Sequence, residues 1–596
     1  MSYILLQMKR IFFSILSVGT IVSAFAIPAK PVYIDYVQPD GTVIKVKKMG
    51  DAHGHVLYSE EGLVLIESNG KLEYARFDSL GQAYASGKTA GDRHLSAVER
   101  RALQTPEEIR KWAEKVDFNR TRRNLNLTSL STRSADSTED DSEGDVNIQD
   151  RLVPENYGLC SSTFPVMGEQ KGLVILVAYQ DVGFKYGDFD YFNRMLNEEG
   201  FSDNGSLGSA RDWFIENSGG LFLPDFDVYG PVVLPENRDY YGGNDFFGND
   251  KRPEEMAIHA CQILDEEVDF SQYDRDGDGK IDNVFIFYAG KGEHDSNVAN
   301  AVWPHSWEIS ASEHEEDYIF DGVQLDHYAC TCEYPSGYMR PDGIGTFVHE
   351  FSHVMGLPDL YVTTYSGGFT PGEWSVLDTG PYNNNGLTPP NYSSFEKCAL
   401  GWIEMRPLEE GMVTLPELSG SNVAYAVPTD NKNEFFFIEN RQQSGNDTFI
   451  PGHGMLVWHI DYSESAWNYN SVNNNSAHQR VDIVEADNRK TAPTRSGDSF
   501  PGAAGVTEFR CDVEPKFQTW SRKPLEFDLM EISESEDGVI SFLAMTHEDA
   551  HGKNEDAVVE IVVDDYDAPY YDLTGRKVTS PEKGIYIRNG KKVLVH

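Results

Sequence analysis

Cysteine is scarce here, and so is positive charge. Six cysteines stand among 596 residues: Cys160, Cys261, Cys330, Cys332, Cys398 and Cys511. In an exported chain six would allow up to three disulfides, and their spacing selects no pairing over free thiols. Cys330-Thr331-Cys332 lacks the two-residue gap of a C-x-x-C pair, so it reads as a disulfide contributor or as two buried thiols, not a redox or metal site. Beyond the N-terminus no apolar run approaches the roughly 20 residues of a membrane span. Lys and Arg total 50 against 96 Asp and Glu, a net charge of −46. That field repels nucleic acid and anionic membranes, which argues against both as partners. It suits calcium, which prefers carboxylate oxygens.

At this length one core is not enough, and three or more domains are expected. Lys9 and Arg10 precede a largely apolar stretch, and Ala24-Phe25-Ala26 has the small-x-small form of a cleavage site. Residues 1–26 therefore read as an export signal, which predicts a secreted or cell-surface protein. Across 27–124, short alternating apolar segments are punctuated by Pro39-Asp40-Gly41 and Ser68-Asn69-Gly70. They predict a small antiparallel unit, followed by a helix over 96–115. Residues 125–150 are acidic and Ser-rich, the composition of a mobile linker. A separate N-terminal unit on a soft, Arg-flanked linker suggests a propeptide awaiting removal; an ordinary accessory domain is the alternative.

The main domain is expected over 151–411. A buried strand is predicted at 173–179, helices at 189–196, 209–217 and 253–267, and extended pieces at 223–229 and 232–234. This is a mixed sheet backed by helices. From 412 to 546 strand follows strand, which predicts a β-sandwich. Residues 547–596 form a tail with its own short β-like unit.

Within the main domain, His349-Glu350-Phe351-Ser352-His353 carries the chemistry. Positions i and i+4 share one helix face, so both imidazoles point at one spot. Glu350 lies next to the first of them, placed to act as general base on a metal-held water. Ile344, Phe347, Val348, Phe351 and Val354 recur at helical spacing and supply a face to bury. Gly356 and Pro358 stop the helix, and the turn returns Asp359 towards the histidines as a candidate third ligand. Two imidazoles and one carboxylate would leave the fourth zinc position open, the pattern of a catalytic site. Another carboxylate from a distant segment is the alternative third ligand.

A second metal signature lies at Asp274, Asp276, Asp278, Lys280 and Asp282. Three carboxylates at alternate positions, a glycine for the turn, a backbone carbonyl from Lys280 and a carboxylate at the ninth position reproduce most of a calcium loop. The twelfth position is Phe285, not Glu, and a strand follows. A structural calcium clip is predicted, since four uncompensated aspartates would repel one another. His305 and His327 read as hydrogen-bonded structural histidines. Leu377 is a candidate hydrophobic floor under the metal. Tyr382 and Tyr392 are candidate oxyanion donors, with packing as the default.

With these residues in place, the chain resembles the M6 family of secreted metallopeptidases, the immune inhibitor A type. The matching motifs are the 170–177 segment, Trp303-Pro304-His305, the stretch from Gly345 to His353, Gly356-Leu357-Pro358-Asp359 and the 451–459 segment. The resemblance implies an α+β zincin-like catalytic domain, an N-terminal β-rich prodomain that keeps the enzyme latent, catalytic Zn2+ and structural Ca2+. It places zinc on His349, His353 and Asp359 and the base on Glu350. It also implies a prodomain carboxylate over zinc, for which Asp51 is the candidate. Leu377 stands where the family usually has methionine, a swap of similar volume. The final stretch, from Tyr571 to Val595, resembles C-terminal segments of secreted Bacteroidetes proteins, including type IX sorting domains, and implies export machinery as a partner. The expected activity is zinc-dependent endopeptidase action on protein or peptide substrates, with the chain's own prodomain as inhibitor. The rival is a non-catalytic cell-surface module binding glycan or protein on a zincin frame.

Overall fold

Every residue from Leu173 to Val177 is apolar because the strand that contains them, Gly168–Ala178, is covered on both faces. Val174 and Leu176 meet Phe347, Val348 and Phe351 on one side. Leu173, Ile175 and Val177 meet Met256, Ile258 and Cys261 on the other. The computed structural model describes residues 25–113, 152–550 and 570–595, apart from short stretches at 53, 79–81, 155, 161–163, 245–248, 313, 315–316, 365–367, 548, 573–575, 580, 582 and 589–590. The expected leader up to residue 24 and the linker at 125–150 lie outside the described residues.

The central sheet runs Phe222–Val233, Gly168–Ala178, Val284–Tyr288, His327–Cys332, His305–Glu308 and Phe25–Ala26. The first four strands are parallel. His305–Glu308 pairs antiparallel with His327–Cys332, and Phe25–Ala26 pairs antiparallel along its outer edge. Helices Phe189–Asn197, Ala210–Ser218 and Gly345–Val354 contribute to one face, and Glu254–Leu264 covers the other. The two extended pieces expected at 223–229 and 232–234 are one strand.

The N-terminal unit is a meander. Tyr33–Val37, Val43–Asp51, Gly54–Ser59, Val64–Ser68, Lys71–Phe77 and Ala83–Thr89 pair antiparallel in chain order. Asn69 and Gly70 have φ of 53° and 73°, the left-handed pair that a tight hairpin turn requires. Val46, Leu65, Leu72 and Tyr74 share one small core, and Val64, Ala75 and Trp112 another.

After residue 405 two sheets face each other. One holds Arg406–Pro407, Tyr425–Pro428, Glu434–Arg441, Gly454–Asp461 and Val481–Ile483; the other holds Gly411–Leu415, Ile540–Thr546 and Phe527–Glu534. Phe436, Ile438 and Val457 meet Leu415, Leu529 and Phe542 between them. The alternate residues Phe435, Phe437, Leu456 and Trp458 point the opposite way, into the core that holds the Gly345–Val354 helix. The apolar core therefore runs on past residue 411. Residues 570–595 contribute a separate four-stranded sheet.

All six cysteines are free thiols. Cys330 and Cys332 point to the same side of their strand into the second core, two buried thiols. Among the described residues no helix is long and apolar enough to cross a membrane.

Candidate active site

All ten residues of the helix Gly345–Val354 are buried. Its apolar face packs Phe347 and Phe351 against Phe226. The other face carries His349, Glu350 and His353. Gly356, at φ 93°, ends the helix in the left-handed region. Its N–H reaches His353 O at 2.9 Å and Leu357 N reaches Ser352 O at 3.0 Å, which reverses the chain and returns Asp359 to the histidines.

Three donor atoms converge there. His349 Nε2 and His353 Nε2 are 3.2 Å apart, and Asp359 Oδ1 lies 3.4 Å from the first and 3.1 Å from the second. His349 Nδ1 is 2.7 Å from Val376 O and His353 Nδ1 is 2.8 Å from Leu357 O. A carbonyl only accepts, so each Nδ1 carries the proton, and in a neutral ring Nε2 then presents a lone pair. Burial holds His349 below the ordinary imidazole value, in its neutral form. Burial alone would raise the Asp359 carboxyl; the pull of His353 and His349 that takes it below the usual carboxylate range needs a proton on Nε2, the position a bound cation would take instead. Two imidazole lone pairs and a carboxylate aimed at one point fit a divalent cation of zinc type, and the backbone carbonyls behind them are the usual outer supports.

Glu350 is fully buried beside this cluster. Its Oε1 accepts the Ile27 N–H at 2.9 Å, while its Oε2 is buried with no hydrogen-bond partner. Burial pushes its carboxyl well above the ordinary range, and the charge on Asp359 adds to that. A carboxyl of high proton affinity, with one oxygen unpartnered beside the three donor atoms, is what a general base and acid needs.

Several neighbours carry no signal in sequence spacing. Asn470 holds Asp359 from 111 positions away. Tyr361 donates its hydroxyl to Ala26 O. Trp303 Nε1 donates to Ile27 O at 2.8 Å. Tyr382 does approach the cleft, donating to Pro28 O at 2.6 Å. Tyr392 does not: its ring lies against Trp213 and Trp402 and its hydroxyl meets Ser352 Oγ, behind the helix. His305 is hydrogen-bonded inside the fold, to Trp303 O and the Tyr328 hydroxyl. His327 faces Glu308 at 3.6 Å. Leu377 is fully buried in the core that holds the site helix, and its neighbour Val376 supplies the carbonyl behind His349. Asp51 is buried, with Oδ2 3.5 Å from the Tyr361 hydroxyl. The Ile27 N–H reaches Glu350, and the Phe25 ring stacks on His353.

At the acidic loop, Asp274, Asp276 and Asp282 bring one carboxylate oxygen each within 4.8 Å of one another. Asp278 is not in that trio; its Oδ1 accepts the Lys280 N–H at 2.8 Å, and the Lys280 ammonium pairs with Asp326. Burial and then the neighbouring aspartates push Asp282 up to about 7. Asp274 Oδ1 is buried with no hydrogen-bond partner. Crowded carboxylates with an orphaned oxygen fit a hard cation.

A largely parallel sheet, with a helix beneath it that carries His349, Glu350 and His353 and a tight turn that brings Asp359 back to them, has the form of a metal centre. Residues 178–403 match the model of the Immune inhibitor A peptidase M6 catalytic domain. The Immune inhibitor A of Bacillus thuringiensis subsp. alesti is 28% identical over 38% of this chain and 39% of its own. The Pre-pro-metalloprotease PrtV of Vibrio cholerae serotype O1 (strain M66-2) is 27% identical over 33% of this chain and 25% of its own. The chain thus spans well under two thirds of either relative.

Proposed function

We propose that this chain is a zinc-dependent endopeptidase that hydrolyses peptide bonds of protein substrates and is made as a latent, secreted zymogen. The observation that carries the reading is the convergence of His349 Nε2, His353 Nε2 and Asp359 Oδ1 beside the buried Glu350. Those three residues would hold zinc, which when bound supplies a Lewis acid for the scissile carbonyl and lowers the pKa of a water. Glu350 takes the proton of that water as its oxygen adds to the carbonyl carbon, then gives it to the nitrogen as the C–N bond breaks. The Tyr361 hydroxyl, which donates to Ala26 O, is read as the donor to the carbonyl oxygen.

The 27–124 unit is read as the prodomain and inhibitor, and the naming of the Vibrio relative as a pre-pro-metalloprotease supports a latent form. Calcium on Asp274, Asp276 and Asp282, with Asp278 and the Lys280 carbonyl completing the loop, is read as structural. The sheet formed within 570–595 is read as a sorting-like segment that engages export machinery. Elemental analysis of the purified chain tests the metal. A peptide-library digest by a chain lacking the N-terminal unit and linker, with and without chelator, tests the reaction. Absence of zinc, or cleavage that a chelator leaves untouched, would overturn the reading.

A further inference from the structure

The outer edge of the catalytic sheet is filled by the chain itself. Phe25 and Ala26 pair antiparallel with Ser306 and His305. The next residues stay in the cleft, and each of three successive carbonyls is taken by a catalytic-domain side chain: Ala26 O by Tyr361, Ile27 O by Trp303, Pro28 O by Tyr382. The Ile27 N–H is taken by Glu350. The Phe25 ring stacks on His353 at 4.7 Å. The Ile27 side chain is fully buried with Trp303 and Tyr382 beside it.

This is strand addition to a sheet edge, where backbone bonds supply affinity and side-chain pockets supply selection. The register matters more than the contact. A residue whose carbonyl faces Tyr361 and whose following nitrogen faces Glu350 presents its peptide bond at the position of attack. Water would add to the Ala26 carbonyl carbon, and the Glu350 proton would go to the Ile27 nitrogen as the bond breaks. If a leader is removed after Ala26, the same nitrogen remains on Glu350 as a free amine, the amine-side product of that cut.

We propose, resting on the peptidase reading, that residues 25–28 are a built-in substrate, and that the pocket beside Trp303 and Tyr382 selects an aliphatic residue on the amine side of the bond cut. The enzyme so described cleaves between a small residue and an aliphatic one, and it is blocked by its own sequence of that kind.

The test uses the full-length chain. Ile27→Asp puts a charge into the apolar pocket, and it is expected to raise hydrolysis of fluorogenic casein tenfold or more over the parent. A fluorescein-labelled peptide of residues 25–30 is expected to bind the Ile27→Asp chain saturably. Replacing the isoleucine of that peptide by aspartate, or Trp303 of the chain by alanine, should weaken binding tenfold or more. Unlabelled peptide should restore inhibition. A folded Ile27→Asp chain that hydrolyses casein in a Glu350-dependent way but binds both peptides alike would overturn the inference and leave the peptidase reading standing. Selective peptide binding by a chain in which no form hydrolyses any substrate would support the seat and sink the peptidase reading.

Discussion

Asn470 grips Asp359 at both ends: its Nδ2 donates to Asp359 Oδ2 at 2.6 Å, and its Oδ1 accepts from Asp359 N at 2.9 Å. A residue from the C-terminal half thereby aims the Asp359 carboxylate, leaving Oδ1 for the histidines. Asn470→Ala is expected to lower zinc affinity by roughly 10- to 100-fold, the usual cost of losing an outer support. Competition against a chelator of known affinity measures it. Saturating zinc should restore most of the hydrolysis; unchanged affinity would show that Asp359 needs no such hold.

Glu350 lies beside the three atoms read as ligands, which His349, His353 and Asp359 supply. Glu350→Gln should therefore keep its zinc and lose at least about 100-fold in kcat on a peptide substrate. Zinc content and steady-state rates, measured on one preparation, decide this. A variant near the parent rate would remove Glu350 from the reaction.

The acidic loop predicts a calcium-dependent unfolding temperature. Adding calcium to metal-stripped protein should raise the midpoint by several degrees, since a ligand bound only to the folded state stabilises it by mass action. Asp282→Asn should blunt that response, because Asp282 is the buried member of the trio. An equal shift in both proteins would place calcium elsewhere.

Asp342 predicts a pH dependence with a definite sign. It is buried near Asp295, and burial, followed by that neighbour's charge, raises its carboxyl from 3.8 to about 7. Below the lower value it is protonated folded or unfolded, and its contribution is complete. As pH rises through about 7 the folded state must ionise a buried acid, and that stability is lost. Asp342→Asn keeps an oxygen for the Gly343 N–H, now 2.8 Å from Oδ1. The variant should gain on the parent above neutral pH, by on the order of 4 kcal/mol at most. Denaturant unfolding at acid and alkaline pH reads the difference; a gain that is the same at both would refute the assignment.

Much of the site was legible in one short stretch. His349 and His353 follow from a four-residue spacing on a helix, and Asp359 from a glycine stop and a tight turn. The aspartates of the acidic loop follow from an alternating pattern, though the structure gathers Asp274, Asp276 and Asp282 and leaves Asp278 on a backbone N–H. Tyr382 and Tyr392 looked alike in sequence. Only Tyr382 reaches the cleft, because Tyr392 is locked between Trp213 and Trp402. The expected boundary near 411 marks a change in strand pattern, but not the end of the core. In strand Glu434–Arg441 the four residues from Phe435 to Ile438 are apolar on both faces because each face covers a different partner.

By itself, then, the sequence determined the local arrangement: two imidazoles on one helical turn, a carboxylate between them, a second carboxylate after the bend, and a strongly acidic composition. Spacing and turn geometry act over a few residues, so they can be read from a few residues. Tertiary structure alone decided what surrounds that centre. Ile27 meets Glu350 across 323 positions, and Asn470 meets Asp359 across 111. An edge strand accepts any extended segment through its backbone, so which segment arrives, and in what register, is set by packing and leaves no mark in the spacing of residues.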